Sequence, residues 1–324
     1  MTSSESRGFR SGGTIANLVA NARGLQPGAV ARLISLVESD SPLLREVAVA
    51  LAPHAGQAQV VGVTGSPGVG KSTTISALTR AIREQGRTVG VLSVDPSSPF
   101  TGGALLGDRI RMLEHATDKG VFVRSLASRG RLGGLSAAVP QALRVLDASG
   151  YDVVLIETVG AGQAELEIAS LADTTLVVLA PGAGDGVQAA KAGILEIADI
   201  LVVNKADREG SAAVARDLER MQSYQPAPDG SWVTPVVQTV AADGGGISEL
   251  LVAADDHFAW LRSTGSLAGR RLRRATAEVE AIVLDRLRTR FASLTQAEDL
   301  VAVAEDVARG ATDPYSGADR LFPL

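Results

Sequence analysis

Apolar residues recur along this chain with two different periods. Between Thr14 and about Leu51 they fall at helical spacing, as in Val30, Leu33, Ile34 and Val37, with breaks at Gly24 to Gly28 and at Ser41-Pro42. Two or three short helices are predicted there. From Gln59 onward, short and nearly continuous apolar runs alternate with stretches of helical periodicity. The runs predict strands at Gln59 to Thr64 and near Thr88 to Val94, Val121 to Ser125, Tyr151 to Ile156, Thr174 to Ala180, Ile200 to Val203 and Val233 to Thr239. Thr73 to Arg83 has the apolar spacing of a helix. Such alternation predicts an α/β fold with a mostly parallel central sheet and helices on both faces. In such sheets ligands bind at the carboxyl ends of the strands.

Past Trp260 the pattern changes. Leu272, Val279, Val283, Leu287, Phe291 and Leu294 line one face of a long helix, and Arg271, Arg273, Arg274, Glu278, Glu280, Asp285, Arg286, Arg288 and Arg290 occupy its other faces. A second helix, Gln296 to Arg309, ends at Gly310. A helical arm placed after the sheet is complete either packs on its own domain or pairs with another subunit. Its length and two-faced character favour dimerisation.

Composition narrows the function classes. The 324 residues are 45% apolar, ample for a buried core. The formal net charge of -5 argues against a general nucleic-acid binder, whose affinity rests on neutralising phosphates. Cysteine is absent, which removes disulfides, thiolate metal sites and thiol nucleophiles and suits a cytoplasmic enzyme. The first residues, MTSSESRGFRSGG, lack the apolar region of a secretory signal, and no later run is long and charge-free enough to span a membrane. Neither a membrane nor a nucleic-acid partner is expected.

The chemistry begins at the end of the first strand. Gly65-Ser66-Pro67-Gly68-Val69-Gly70-Lys71-Ser72, followed by Thr73, fits G-x-x-x-x-G-K-[ST] between a strand and a helix. In such a P-loop, backbone N–H groups cradle phosphates, Lys71 reaches the β and γ phosphates, and the Ser72 hydroxyl binds Mg2+. Mg2+ prefers hard oxygen ligands, so carboxylates are expected nearby. Asp95 and Asp108 are candidates; Asp95 also suits a turn before proline, and Asp108 a helix N-terminus. Arg109 and Arg111 either neutralise phosphate charge or pair on a solvated face. The strand ending at Ile156 leads into Glu157-Thr158-Val159-Gly160, where a carboxylate can contact Mg2+ or its water and Gly160 can let a backbone N–H approach the γ phosphate. Gln163, shortly after, could orient the attacking water.

Asn204-Lys205-Ala206-Asp207 ends another apolar strand with N-K-x-D. The Asp207 carboxylate can accept two hydrogen bonds from guanine, from N1–H and the 2-amino group, whereas adenine offers neither donor there. Asn204 would support the base site, and the stem of Lys205 would lie along the base. After the last strand, the stretch Thr239-Val240-Ala241-Ala242, with Ala241 and Ala242 as the candidates, could supply a backbone N–H to the guanine oxygen. The expected ligands are GTP or GDP with Mg2+. The expected organisation is a helical N-terminal extension over 1–55, a P-loop GTPase domain over 56–262 and a helical dimerisation arm over 263–324.

With these motifs in place, the chain resembles the MeaB, ArgK and MMAA family of P-loop GTPases. The resemblance rests on GSPGVGKST, VDPSSP with GGALLGDRIRM, ETVGAGQAE, PGAGDGVQAAKAG with ILEIADILVVNKAD, and the DPY at Asp313 to Tyr315. It runs from RLISLVES to the end. It implies a homodimeric GTPase that binds an adenosylcobalamin-dependent mutase, typically methylmalonyl-CoA mutase, and couples GTP hydrolysis to cofactor loading and protection. The family's Mg2+ and switch carboxylates fall on Asp95, Asp108 and Glu157. A further switch region corresponds to Asp185 to Lys191, where this chain carries Gly186 and Ala190. Two other readings fit less well: a metal-inserting GTPase, for which His54, His115 and His257 are too scattered and cysteine is absent, and a small-molecule kinase, against which the guanine motif argues.

Overall fold

The computed structural model describes residues 11–39, 41–95, 115, 117–127, 138–158, 163–182, 194–224, 228, 230–294 and 297–322. Seven strands form one sheet: β1 (Gln59–Thr64), β2 (Val89–Asp95), β3 (Val121–Ala127), β4 (Val153–Thr158), β5 (Thr174–Leu179), β6 (Ile200–Asn204) and β7 (Val236–Thr239). Their order is β3-β2-β4-β1-β5-β6-β7, and each neighbouring pair is parallel. The strand carrying the phosphate motif is therefore central, flanked by β4 and β5.

Strand periodicity divides the apolar runs between two layers. Val61, Val63, Val153, Leu155, Leu176, Val178, Ile200 and Val202 join one core, which also contains Ile75, Leu78 and Ile82 of α4 (Lys71–Glu84) and Ile247, Leu250 and Ala254 of a helix at Ile247–Ser263. Alternate residues point the other way. Val60, Leu92, Val94, Val154 and Ile156 meet the N-terminal helices α1 (Ser11–Arg23), α2 (Pro27–Glu38) and α3 (Leu44–Leu51), with α5 (Ala138–Ser149) and α6 (Gln163–Leu171). Val177, Leu179, Leu201 and Val203 pack with Ala215 and Leu218 of α7 (Ser211–Ser223) on that same face. Both faces are covered, as the continuous apolar runs required.

The expected last strand, Val233 to Thr239, begins only at Val236. Pro235 has no N–H to give to a ladder, and its carbonyl instead accepts from Leu201 N at 2.9 Å. Before it, Trp232 Nε1 donates to Asp199 O at 2.8 Å, so a side chain ties this edge where the backbone does not.

At the amino ends of the strands, charges are closed against one another. Asp173, just before β5, accepts from Val60 N at 3.1 Å and pairs with Arg271 at 2.8 Å. Asp199, just before β6, accepts from Thr175 N at 2.8 Å and from both terminal nitrogens of Arg270, at 2.6 and 2.8 Å. His257, fully buried on α8 (Ile247–Ser263), places Nδ1 2.9 Å from Thr174 Oγ1 and Nε2 3.3 Å from Asp199. Burial lowers its pKa from 6.5 to about 4, against the opposing effect of Asp199. Arg270 and Arg271 lie in the first turns of α9 (Ser266–Leu294).

The chain divides into two compact units, one ending at Arg271 and the other spanning Leu272–Leu324. The second contains the rest of α9, α10 (Ala297–Ala308) and α11 (Pro314–Leu321). Asp313 caps α11 by accepting from Tyr315 N at 2.9 Å and Ser316 N at 3.0 Å, and Pro314 fills the first helical position, which needs no donor. Leu272, Val279, Val283 and Leu287 are 68%, 61%, 47% and 55% exposed. Among the described residues no helix is long and apolar enough to cross a membrane.

Candidate nucleotide-binding site

β1 delivers the P-loop to the carboxyl edge of the sheet. Gly65 has φ +136°, and a Cβ there would lie 2.1 Å from Val178 O on β5, so only glycine fits. Gly70 has φ +101°, and a Cβ would meet Asn204 Nδ2 at 2.3 Å. The loop is thus pressed between β5 and the end of β6. No side chain caps the start of α4, which leaves N–H groups and the positive dipole end directed at the loop.

Lys71 is buried, with 7% exposed. Its ammonium donates to Gly65 O at 2.7 Å and Ser66 O at 3.2 Å, within the loop itself. Ser72 Oγ donates to Glu157 Oε1 at 2.6 Å. Glu157, in register with Val63 of β1, is 3% exposed at the end of β4. A hydroxyl and a carboxylate meeting at the base of a phosphate loop form the hard-oxygen donor set that suits Mg2+, and the two residues could hold one. Bound there, the cation would neutralise phosphate charge.

Asp95 ends β2, opposite Ala127 of β3, which puts its backbone at the same edge of the sheet. Gln163 opens α6. Asp108, Arg109, Arg111, Gly160 and the Asp185 to Lys191 segment lie outside the described residues.

The second half of the site is held to the first by a buried amide and an ammonium. Asn204 Nδ2 donates to Val69 O of the P-loop at 2.8 Å, while its Oδ1 accepts from Thr239 Oγ1 at 3.2 Å and Ala241 N at 3.1 Å. Asn204 therefore works as a strut between loop, β6 and β7, and it is 2% exposed. Lys205, with φ +58°, extends its ammonium to Gly68 O at 2.6 Å. Asp207 is exposed beside this turn, as is Ala242. Because the Ala241 N–H is taken by Asn204, Ala242 is the better placed of the two amides for a ligand.

Sequence reasoning places Thr239 only in the stretch Thr239 to Ala242 that could offer a backbone N–H to guanine, and misses that its hydroxyl helps orient Asn204. The only available signal was its position as the last residue of a strand.

The sequence profile of the family described as "Methylmalonyl Co-A mutase-associated GTPase MeaB" matches residues 30–296. A Pyrococcus horikoshii protein named as a GTPase is 47% identical over 301 residues, 91% of this chain and 93% of the relative. GTPase ArgK of Escherichia coli is 36% identical, covering 78% and 79%. The mouse mitochondrial methylmalonic aciduria type A homolog is 32% identical, covering 92% and 76%. Among solved structures, an LAO/AO transport system kinase superposes with TM-score 0.72 over 97% of this chain and 98% of that one. At 24% identity this last likeness concerns the fold alone.

Proposed function

We propose that this chain, which belongs to the MeaB family of methylmalonyl-CoA mutase-associated GTPases, uses GTP binding and hydrolysis to chaperone an adenosylcobalamin-dependent acyl-CoA mutase, gating cofactor loading and protecting the mutase. The observation that carries the nucleotide part is the Asn204 strut. It binds the phosphate loop and the guanine turn into one unit, so base and phosphates are read together.

Catalysis follows from positioning and charge neutralisation, as is general for phosphoryl transfer. Lys71 exchanges its loop carbonyls for the β and γ phosphates. Ser72 and Glu157, with Asp95 and Asp108, would hold Mg2+, which would neutralise phosphate charge. Gly160 presents its N–H to the γ phosphate. Asp207 takes guanine N1–H and the 2-amino group, with Ala242 on the carbonyl oxygen. The protein works in the cytoplasm as a homodimer, and the apolar stripe of α9, 47–68% exposed at Leu272, Val279, Val283 and Leu287, is the surface a second subunit covers.

The test mixes the purified chain with an adenosylcobalamin-dependent acyl-CoA mutase and follows complex formation and cofactor transfer by light scattering and absorbance, with a non-hydrolysable GTP analogue or GDP present. A complex whose stability or cofactor transfer depends on the nucleotide is expected, and the same scattering reports the mass of the free dimer. No complex with either nucleotide would reject the chaperone reading while leaving the GTPase assignment intact.

A further inference from the structure

Asp207, the carboxylate of the guanine turn, is exposed, and among the described residues no hydrogen bond or ion pair reaches its side chain. The direction in which it meets a base is therefore set by the backbone that carries it. That backbone is unusual at one point. Lys205 has φ +58°, a conformation that residues with a side chain seldom adopt and that persists only where surrounding contacts hold it.

Three hydrogen bonds fix the peptide groups around Asp207. Ala206 N donates to Thr239 O at 3.0 Å, Arg208 N donates to Lys205 O at 3.0 Å, and Ser211 Oγ donates to Ala206 O at 2.9 Å. The first two are main-chain bonds that any residue but proline could make. The third belongs to Ser211, the first residue of α7, which is 6% exposed. Its hydroxyl does nothing for its own helix, because the N-cap is Gly210 and no side chain caps α7. Alanine has the higher helix propensity and would bury no polar atom there, so the serine is accounted for by the Ala206 carbonyl. That carbonyl lies in one rigid plane with the N–H of Asp207. Holding its oxygen fixes the tilt of the plane, and with it the direction in which the Asp207 Cα–Cβ bond leaves the turn.

A carboxylate that accepts from N1–H and the 2-amino group of guanine together must present both oxygens to two parallel donors, which tolerates little misdirection. We infer that Ser211 is a positioning residue for guanine recognition: by holding the Ala206 carbonyl it aims the Asp207 carboxylate so that both donors of the base are met at once. Without that bond one oxygen still reaches N1–H, and the second contact, to the 2-amino group, is lost. The inference rests on the reading of Asp207 as the guanine acceptor and needs no mutase partner.

Hypoxanthine keeps N1–H and lacks the 2-amino group, so the ratio of GDP to inosine diphosphate affinity reads the second contact alone. The experiment measures both affinities by calorimetry for the full chain and for its Ser211→Ala, Ser211→Thr and Asp207→Ala variants. A hydrogen bond to a charged acceptor corresponds to about tenfold or more, and that is the ratio expected of the unaltered chain. Ser211→Ala should lower GDP affinity by about fivefold or more and leave inosine diphosphate affinity within about twofold. Ser211→Thr keeps the hydroxyl and should keep the ratio. In Asp207→Ala the ratio should fall to about one, and adding Ser211→Ala should change it no further. A ratio unchanged in Ser211→Ala, a ratio lost equally in Ser211→Thr, or a parallel loss of both affinities would overturn the inference while leaving Asp207 as the acceptor. A ratio unchanged in Asp207→Ala would remove the guanine assignment itself, and the inference with it.

Discussion

The two ends of the parallel sheet are made of similar backbone and opposite chemistry. At the amino ends, Asp173 and Asp199 accept from strand N–H groups and are each matched by an arginine from the start of α9. At the carboxyl ends, polar side chains are bonded mostly to main-chain carbonyls of the loop or to one another: Lys71 to Gly65 and Ser66, Lys205 to Gly68, Ser72 to Glu157. The first set is closed, because no member can leave without stranding a buried charge. The second is exchangeable, because a phosphate or cation can replace each partner at little loss. One end holds the sheet together, and the other is available for a ligand.

The sharpest way to break this contrast is at the closed end. Asp199→Ala leaves Arg270 without its carboxylate and the Thr175 N–H without an acceptor, and removing one partner of a buried pair costs about 3–5 kcal/mol. Chemical denaturation should show a loss of that size, while GTP affinity measured at a temperature where the variant remains folded should stay within about twofold. A large fall in affinity without a fall in stability would reverse the assignment of the two ends.

At the exchangeable end the expected pattern is the opposite. Lys71→Ala removes charge-assisted bonds to phosphate worth about 3 kcal/mol together, so calorimetry should find GTP affinity lower by at least about 100-fold, with the thermal midpoint little changed. Undiminished affinity would remove the P-loop assignment.

The smallest effect concerns His257. Its pKa is lowered by burial to about 4, so between pH 6.5 and pH 4 the unfolded chain binds a proton that the folded one refuses. Stability from this group is full above about pH 6.5 and is lost as pH falls towards 4. Asp199, Asp173 and Arg270 share its surroundings, and Thr174 meets its ring. About 2 kcal/mol should disappear between pH 6.5 and pH 5, and His257→Gln should flatten that part of the denaturation profile. An equal slope in the variant would exclude His257 as its source.

Much of the fold was legible because its signals are local. β1 was read at its observed bounds, and Gly65 to Ser72 could be placed between strand and helix from eight neighbouring residues. β7 starts three residues later than the pattern predicts, since Pro235 has no N–H to extend the ladder towards Val233. Glu157 was expected near Mg2+; its direct bond to Ser72 depends on β4 lying beside β1, a neighbour relation that periodicity does not encode.

What the chain determined by itself was therefore the strand and helix alternation and the placing of the G-x-x-x-x-G-K-S loop and the N-K-x-D turn at strand ends, all carried by residues close in sequence. Tertiary structure alone decided that Asn204 braces Val69, 135 positions away, and that the Ala241 N–H is given to Asn204. It also decided that Arg270 and Arg271 close the amino ends, and that the hydroxyl of Thr64 is buried without a hydrogen-bond partner. The physical reason is that side-chain period fixes which face a residue occupies, whereas its partner on that face depends on strand order, and strand order is settled only when the whole sheet assembles.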